Sequence, residues 1–361
     1  MKLPVRIILV LLCAALIVSM PFFLSSPDIL PEAINELEDD TTEEDDGKVL
    51  DFGKLFFPYA AAEGGELTVE DMNEGEKLSI PDEWALPLDF SLPPMPDPDR
   101  FTENGYEDQS IRVRIETRER FGSYVDIAFV EIADASQLRT ATAEGVGSRM
   151  AHRMANMAKD SNSVIAMNGD LFIKDPKTKK FEVRMTQVVT YEMKRNQTSK
   201  YKDTLIIDKN GDFHLFVCCE GMEEYVSSHK DEIVNAFMFG PALVIDGEIS
   251  EIERKKAYDY APFYRNPRSA IGQTGPLSYV MVVVEGRSGD RKGVTHAELA
   301  EIMLELGCVQ AYNLDGGNSA ELMMIGPDPD RILFHFEGQS GNRGQSDIIY
   351  FATAVPEEER R

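Results

Sequence analysis

The chain has 361 residues, 43% of them hydrophobic, with 63 acidic and 37 basic side chains and a net charge of −26. That composition excludes disorder throughout, and the negative balance excludes a basic nucleic-acid binder, because it repels phosphate backbones. The length accommodates one large domain or two small ones, each able to bury a core.

Lys2 and Arg6 precede an apolar run at 7–24 that only Ser19 and Pro21 interrupt. Eighteen positions just span a hydrocarbon core, and the positive charges lie on their N-terminal side. The run therefore reads as an export signal or a membrane anchor, with the rest of the chain extracytoplasmic. No A-x-A-like cleavage site follows it, which favours the uncleaved anchor over a secreted form.

Between Asp28 and Asp46 ten residues are acidic and none is basic, the composition of a solvated stalk. Residues 28–100 carry a balance of −18 and residues 101–361 a balance of −10, so the acidity belongs mostly to the tail. The proline-rich stretch 81–98 holds Trp84, the single tryptophan, and reads as extended. It either drapes over the domain that follows or is a plain linker. The organisation expected is a signal or anchor at 1–27, a stalk and linker at 28–100, one catalytic domain at 101–355 and a charged tail at 356–361.

Cys13 lies in the apolar run, Cys218 and Cys219 are neighbours, and Cys308 stands apart. The odd exported count implies at least one free, buried thiol, and without C-x-x-C spacing no zinc knuckle is expected.

From Ile111 onward the pattern alternates. Residues 111–116 and 124–132 read as half-buried strands joined through Phe121-Gly122-Ser123. Residues 148–159 place Met150, Met154 and Met157 at helical spacing, as core packing. A strand at 163–167 runs into Asn168-Gly169-Asp170. Strands at 204–208 and 213–217 flank an Asn-Gly hairpin signal, and further strands are expected at 242–245, 269–272 and 279–284. Thr295-His296-Ala297-Glu298 is a capping box that opens a helix with Leu299, Ile302, Met303 and Leu306 on its apolar face and Gly307 after its end. His296, second in the box, is expected to be exposed. Strands at 309–314, 319–325, 332–336 and 348–352 complete the chain. Hairpins mixed with helices predict an α+β (mixed α/β) fold, a single domain of antiparallel hairpins and mixed sheet with packed helices, and not a doubly wound one.

No G-x-S-x-G elbow, P-loop, H-E-x-x-H or G-x-G-x-x-G signature is present, which removes serine-hydrolase, nucleotide and zincin readings. What remains are polar residues beside glycines at strand ends, where loops carry sites. They occur in a fixed order: AMNGDLF at 166–172, GPALVIDG at 240–247, NPRSAIG at 266–272, VVEGR at 283–287, ELA at 298–300 and NLDGGNS at 313–319. Six such motifs in this order resemble the phosphodiester glycosidase family, from about Arg112 to Val355, about two thirds of the chain. The resemblance implies hydrolysis of a sugar joined through its anomeric carbon to a phosphodiester, on the extracytoplasmic side of a membrane. The chain departs from the family pattern at Asp170-Leu171, where Gly-Phe is usual, and at Asn318-Ser319-Ala320, where Gly-Ser-Ser is frequent.

On that resemblance Asp315 is the principal carboxylate, placed after an apolar strand and before two glycines that let backbone approach a phosphate or sugar. Cleavage at an anomeric carbon commonly uses two carboxyl groups, and Glu298 and Asp170 are the candidates for the second. Glu298 also has a structural explanation in the capping box. Arg268, and beside it Arg287, present planar forks of donors suited to phosphate oxygens. Asn168 with Gly169, and Asn313 with Gly316, Gly317, Asn318 and Ser319, are expected to complete the substrate pocket, and Asn342 and Arg343 to close one side. No cofactor and no metal are expected. The partners expected are a phosphorylated glycan or sugar-1-phosphodiester of cell-envelope or extracellular material and, through the N-terminal segment, a membrane. Two other readings use the same residues: a metal-assisted phosphodiesterase that attacks phosphorus, and a non-catalytic binder of envelope glycan.

Overall fold

Residues 278–284 (SYVMVVV) leave no polar side chain except Ser278 and the Tyr279 hydroxyl, so a strand here needs cover on both faces. Tyr279, Met281 and Val283 enter one apolar cluster, and Val280, Val282 and Val284 enter another. Strand alternation with both sides buried produces this division, and each buried side chain is worth roughly 1.5–3 kcal/mol over exposure. The computed structural model describes residues 77–144, 150–170, 172–174, 181–183, 188–189, 192–193, 202–252, 264–326, 332–337 and 344–360. All of them lie in one unit, Leu67–Arg361. The apolar run at 7–24 and the acidic stalk lie outside the described residues, among which no helix is long and apolar enough to cross a membrane.

In chain order the strands begin with β1 (Phe101–Thr102), β2 (Gly105–Glu107), β3 (Ile111–Arg120), β4 (Ser123–Ile132) and β5 (Leu138–Thr142). Helix α1 (Met154–Asp160) leads to β6 (Ser163–Asn168), then to the short β7 (Phe172–Lys174), β8 (Phe181–Val183), β9 (Val188–Val189) and β10 (Glu192–Met193). Next come β11 (Thr204–Asp208), β12 (Phe213–Phe216), helix α2 (Met222–His229), β13 (Ile233–Phe237), β14 (Ala242–Ile245) and β15 (Glu248–Ile249). The chain continues through β16 (Arg268–Gly275), β17 (Ser278–Val284), helix α3 (His296–Glu305) and β18 (Gln310–Leu314) to β19 (Glu321–Ile325), β20 (Ile332–Glu337) and β21 (Asp347–Ala352).

Two sheets dominate. The larger runs β1-β2-β3-β4-β17-β16-β18-β14-β15 and the smaller β20-β19-β6-β21-β5, with β12-β11-β13 as a third. Every strand pairing among the described residues is antiparallel. The two large sheets meet across a core that joins Ile271, Met281 and Leu314 of one to Ile165, Leu322 and Ile349 of the other. Helix α3 covers the far face of the larger sheet through Leu299, Ile302 and Met303. Helix α1 covers the far face of the smaller through Met154 and Met157. The chain is thus α+β, with helices packed outside antiparallel sheets.

Four details differ from the sequence pattern or resolve it. Helix α1 begins at Met154, and Met150 is 48% exposed, because His152 and Gln345 exchange backbone hydrogen bonds that keep the preceding residues extended. Helix α2 and β13 have no clear sequence signal. The segment around Trp84 drapes: Ile80, Trp84 and Leu86 pack on the outer face of the smaller sheet, and Arg139 donates to the carbonyls of Pro87, Asp89 and Ser91. Cys308 is buried with a free thiol, and burial pushes its pKa up.

Candidate active site

The two large sheets are tied together at one end. There β6 and β18 run out into loops while β16 and β21 begin, and the Asp315 amide donates across the sheets to the Gly169 carbonyl at 3.2 Å. Asn168, fully buried, holds this junction with one side chain. Its Nδ2 donates to the Asp315 carbonyl at 2.6 Å, and its Oδ1 accepts from Ser269 Oγ at 2.8 Å and from the Glu321 amide at 3.1 Å. The amide expected to hold sugar hydroxyls is therefore engaged in ordering the Asp315 loop, as a buried polar group must be.

On the side of the smaller sheet sits a residue that no sequence motif singles out. Asp347, 1% exposed, opens β21; its Oδ2 accepts from the Asp170 amide at 2.9 Å and its Oδ1 from Ser346 Oγ at 2.5 Å. A Cβ on residue 169 would stand 1.7 Å from Asp347 Oδ2, so only glycine admits this carboxylate. Burial, followed by the charge of Asp170 and then more weakly that of Asp315, pushes Asp347 up to about 7 against the two hydrogen bonds that lower it. Asp170 is itself 2% exposed, and its Oδ2 accepts from the Met238 amide at 2.7 Å. Asp170, Asp347 and Asp315 thus share one electrostatic neighbourhood. Asp347 leaves a faint trace in the sequence, a carboxylate abutting the apolar run at 348–352.

The larger sheet supplies the positive side. Arg268, 6% exposed, begins β16. Its Nε donates to the Val294 carbonyl at 3.2 Å, its Nη2 to the Tyr264 carbonyl at 2.7 Å and its Nη1 to His296 Nε2 at 2.8 Å. All three acceptors are neutral. Burial, and next the charge of Arg287, lower its pKa to about 10, so it stays cationic at neutral pH. Arg287 follows β17, where Nε and Nη2 donate to Asn266 Oδ1 at 3.0 and 2.5 Å and Nη1 to Asn318 Oδ1 at 3.3 Å. The turn after Asp315 lies directly on the start of β16. The Gly317 amide donates to the Pro267 carbonyl at 2.8 Å, and a Cβ on Gly316 would meet that same oxygen at 2.7 Å. The glycine pair thereby lets the turn after Asp315 lie against the start of β16 and the Arg287 guanidinium.

His296 corrects the expectation of exposure. It is 3% exposed because the first turn of α3 packs over the start of β16, and burial, then Arg268, drive its pKa well below the ordinary value. Glu298 closes the capping box, its Oε2 accepting from the Thr295 amide at 2.8 Å, while its Oε1 pairs with Arg265. Asn313 is buried, and its Nδ2 donates to the Gly240 carbonyl at 2.8 Å. Ser319 is fully buried; its carbonyl accepts from Gln345 Nε2 at 3.0 Å, and among the described residues its hydroxyl and Asn313 Oδ1 have no hydrogen-bond partner. Asn342 and Arg343 lie outside the described residues. No group of three or more histidine, cysteine, aspartate or glutamate side chains among the described residues is arranged to hold a metal ion.

The buried carboxylates of Asp170, Asp315 and Asp347 and the buried guanidinium of Arg268 thus stand at strand ends on the same side of a two-sheet antiparallel domain. The chain belongs to the phosphodiester glycosidase family, whose model matches residues 161–352, just over half its length. Its fold is similar to the catalytic domain of zebrafish N-acetylglucosamine-1-phosphodiester alpha-N-acetylglucosaminidase, described as auto-inhibited by its pro-peptide. That match has a TM-score of 0.50 and 17% identity, and covers 67% of this chain and 83% of that one. A hypothetical protein from Synechocystis is similar with a TM-score of 0.50 and 14% identity, covering 67% of this chain and 62% of that one. These likenesses concern the fold. The SPbeta prophage-derived uncharacterized protein YomE of Bacillus subtilis is 34% identical over 92 residues, 26% of this chain. The chain covers 14% of that curated relative's length.

Proposed function

We propose that the protein hydrolyses a sugar-1-phosphodiester at the bond between the anomeric carbon and oxygen, acting outside the cytoplasm on cell-envelope or extracellular glycan. The observation that carries this reading is Arg268: a buried guanidinium whose hydrogen bonds among the described residues go to neutral acceptors, next to Pro267, whose carbonyl holds the turn that follows Asp315. Such a cation retains its full charge for a phosphate oxygen. Arg287, held by Asn266 and Asn318 at the rim of the same turn, adds a second positive charge.

In this mechanism the arginines orient the phosphodiester and stabilise the negative charge that grows on the leaving phosphate. Asp315 acts at the anomeric carbon, as nucleophile or as the base that takes a proton from water. The carbon–oxygen bond breaks, hydroxyl from water ends on the sugar, and the phosphate departs as a monoester. Phosphate leaves far more readily than a sugar hydroxyl, so little acid assistance is required. Asp347, largely protonated below neutral pH, limits the negative charge that the carboxylate side presents to an anionic substrate.

The test is hydrolysis of an N-acetylglucosamine-1-phosphodiester by the purified full-length protein in oxygen-18 water, with mass spectrometry of both products. Label on the sugar is expected. Label on the phosphate would replace this reading with attack at phosphorus, and binding without turnover would replace it with a glycan-binding role.

A further inference from the structure

A guanidinium has five N–H donors. Among the described residues Arg268 spends three, on Val294 O, Tyr264 O and His296 Nε2, which leaves one on each terminal nitrogen for a ligand. Two of these acceptors are backbone and are set by the fold. The third is a side chain, and it could have been a carboxylate, the usual partner of a buried arginine. It is an imidazole instead.

Three effects keep that imidazole neutral. It is buried, Arg268 stands 2.8 Å away, and it lies in the first helical turn of α3, where the exposed amides disfavour positive charge. Because Nε2 accepts from Arg268, the ring proton is on Nδ1. The cap of α3 does not need His296, since Thr295 and Glu298 cap the helix reciprocally. Glu298, the nearest acidic residue on this turn, is occupied by that cap and by Arg265.

We propose that His296 is a positioning residue that fixes the direction of the Arg268 guanidinium through a neutral acceptor, so that the arginine's charge remains uncompensated until the substrate's phosphate arrives. The inference rests on the reading of Arg268 as the phosphate partner and deepens it: selection for an anionic group comes from what α3 declines to place beside the arginine. A glutamate at 296 would fill the acceptor position but neutralise the cation and repel phosphate. A glutamine would fill it without charge.

The experiment titrates inorganic phosphate into the full-length protein by calorimetry and measures KM and kcat on an N-acetylglucosamine-1-phosphodiester. It uses the wild type, R268M, H296E, H296L and H296Q, each checked for a cooperative thermal transition. R268M should lose phosphate binding. H296E and H296L should weaken phosphate and raise KM by about tenfold or more, with a smaller change in kcat, and H296Q should recover most of the affinity, to within about threefold. If H296E fails to fold, the contrast between H296L and H296Q decides the same question. Wild-type protein that binds neither phosphate nor substrate would overturn both this inference and the proposed function. Wild type that binds, R268M that does not, and H296E or H296L as tight as wild type would overturn the inference only.

Discussion

The Oδ2 of Asp347 accepts the Asp170 amide at 2.9 Å from a position only 1.7 Å from where a Cβ on residue 169 would stand. The glycine between Asn168 and Asp170 is thus the space that a carboxylate from the last strand occupies, and it couples two strands far apart in sequence at the site.

Gly169→Ala should consequently displace the Asp347 carboxylate and strip the Asp170 amide of its acceptor. Overpacking of this kind costs about 1–3 kcal/mol. Thermal unfolding should register that loss, and Gly169→Ala combined with Asp347→Ser should recover part of it, since the smaller side chain vacates the contested space. A Gly169→Ala protein as stable as wild type would show that the contact is absent.

Asp347 also gives stability a pH dependence whose sign is fixed. Its folded pKa, raised to about 7, lies above the ordinary 3.8, so between those values the folded chain holds a proton that the unfolded chain has released. Stability contributed by that proton is complete below about 3.8 and is lost as pH rises through about 7, with a slope of up to about 1.4 kcal/mol per pH unit. Asp126, raised to about 6 mainly by burial, adds a slope of the same sign. Urea unfolding from pH 4.5 to 8 should therefore show Asp347→Asn flattening the dependence without abolishing it. An unchanged slope would remove Asp347 as its source.

How far the site is legible in the sequence depends on how local its causes are. Asp315, Gly316 and Arg268 can be read there because each stands where an apolar strand meets a glycine or proline, a pattern contained in a few residues. Asp347 cannot. One aspartate before a strand resembles any solvated strand end until β21 is seen beside β6. The sequence misleads at His296 for a related reason: the capping box describes the helix's own turn and says nothing of the β16 start packed against it. In the fold, the hairpins β3–β4 and β16–β17 announce themselves by alternation and short turns. The start of α1 does not, because it is set by the distant pairing of His152 with Gln345.

Asp315→Asn removes the charge and the basicity of the carboxylate proposed to act at the anomeric carbon while keeping its shape. The backbone bonds from the Asp315 amide to Gly169 and from Asn168 to its carbonyl remain, so the thermal midpoint should hold. Turnover should fall by about 10²–10⁴-fold. An Asp315→Asn protein that retains wild-type kcat/KM would transfer the principal role to another carboxylate of the cluster.

Arg139 is predicted to act as the clasp of the segment that carries Trp84. Its Nη1 donates to the Pro87 carbonyl and its Nη2 to those of Asp89 and Ser91, each at 2.9 Å, while Leu86 donates its amide to Ser136 Oγ at 2.9 Å. Charged hydrogen bonds of this kind contribute about 1.5–3 kcal/mol, but the released carbonyls regain water when the segment lifts, so Arg139→Ala should cost about 2–3 kcal/mol. Because Trp84 is the single tryptophan and packs half-buried on the smaller sheet, its fluorescence reports the release directly. A red shift, together with new proteolytic cleavage at 85–95, is expected in Arg139→Ala. If neither appears, the packing of Ile80, Trp84 and Leu86 holds the segment without the clasp.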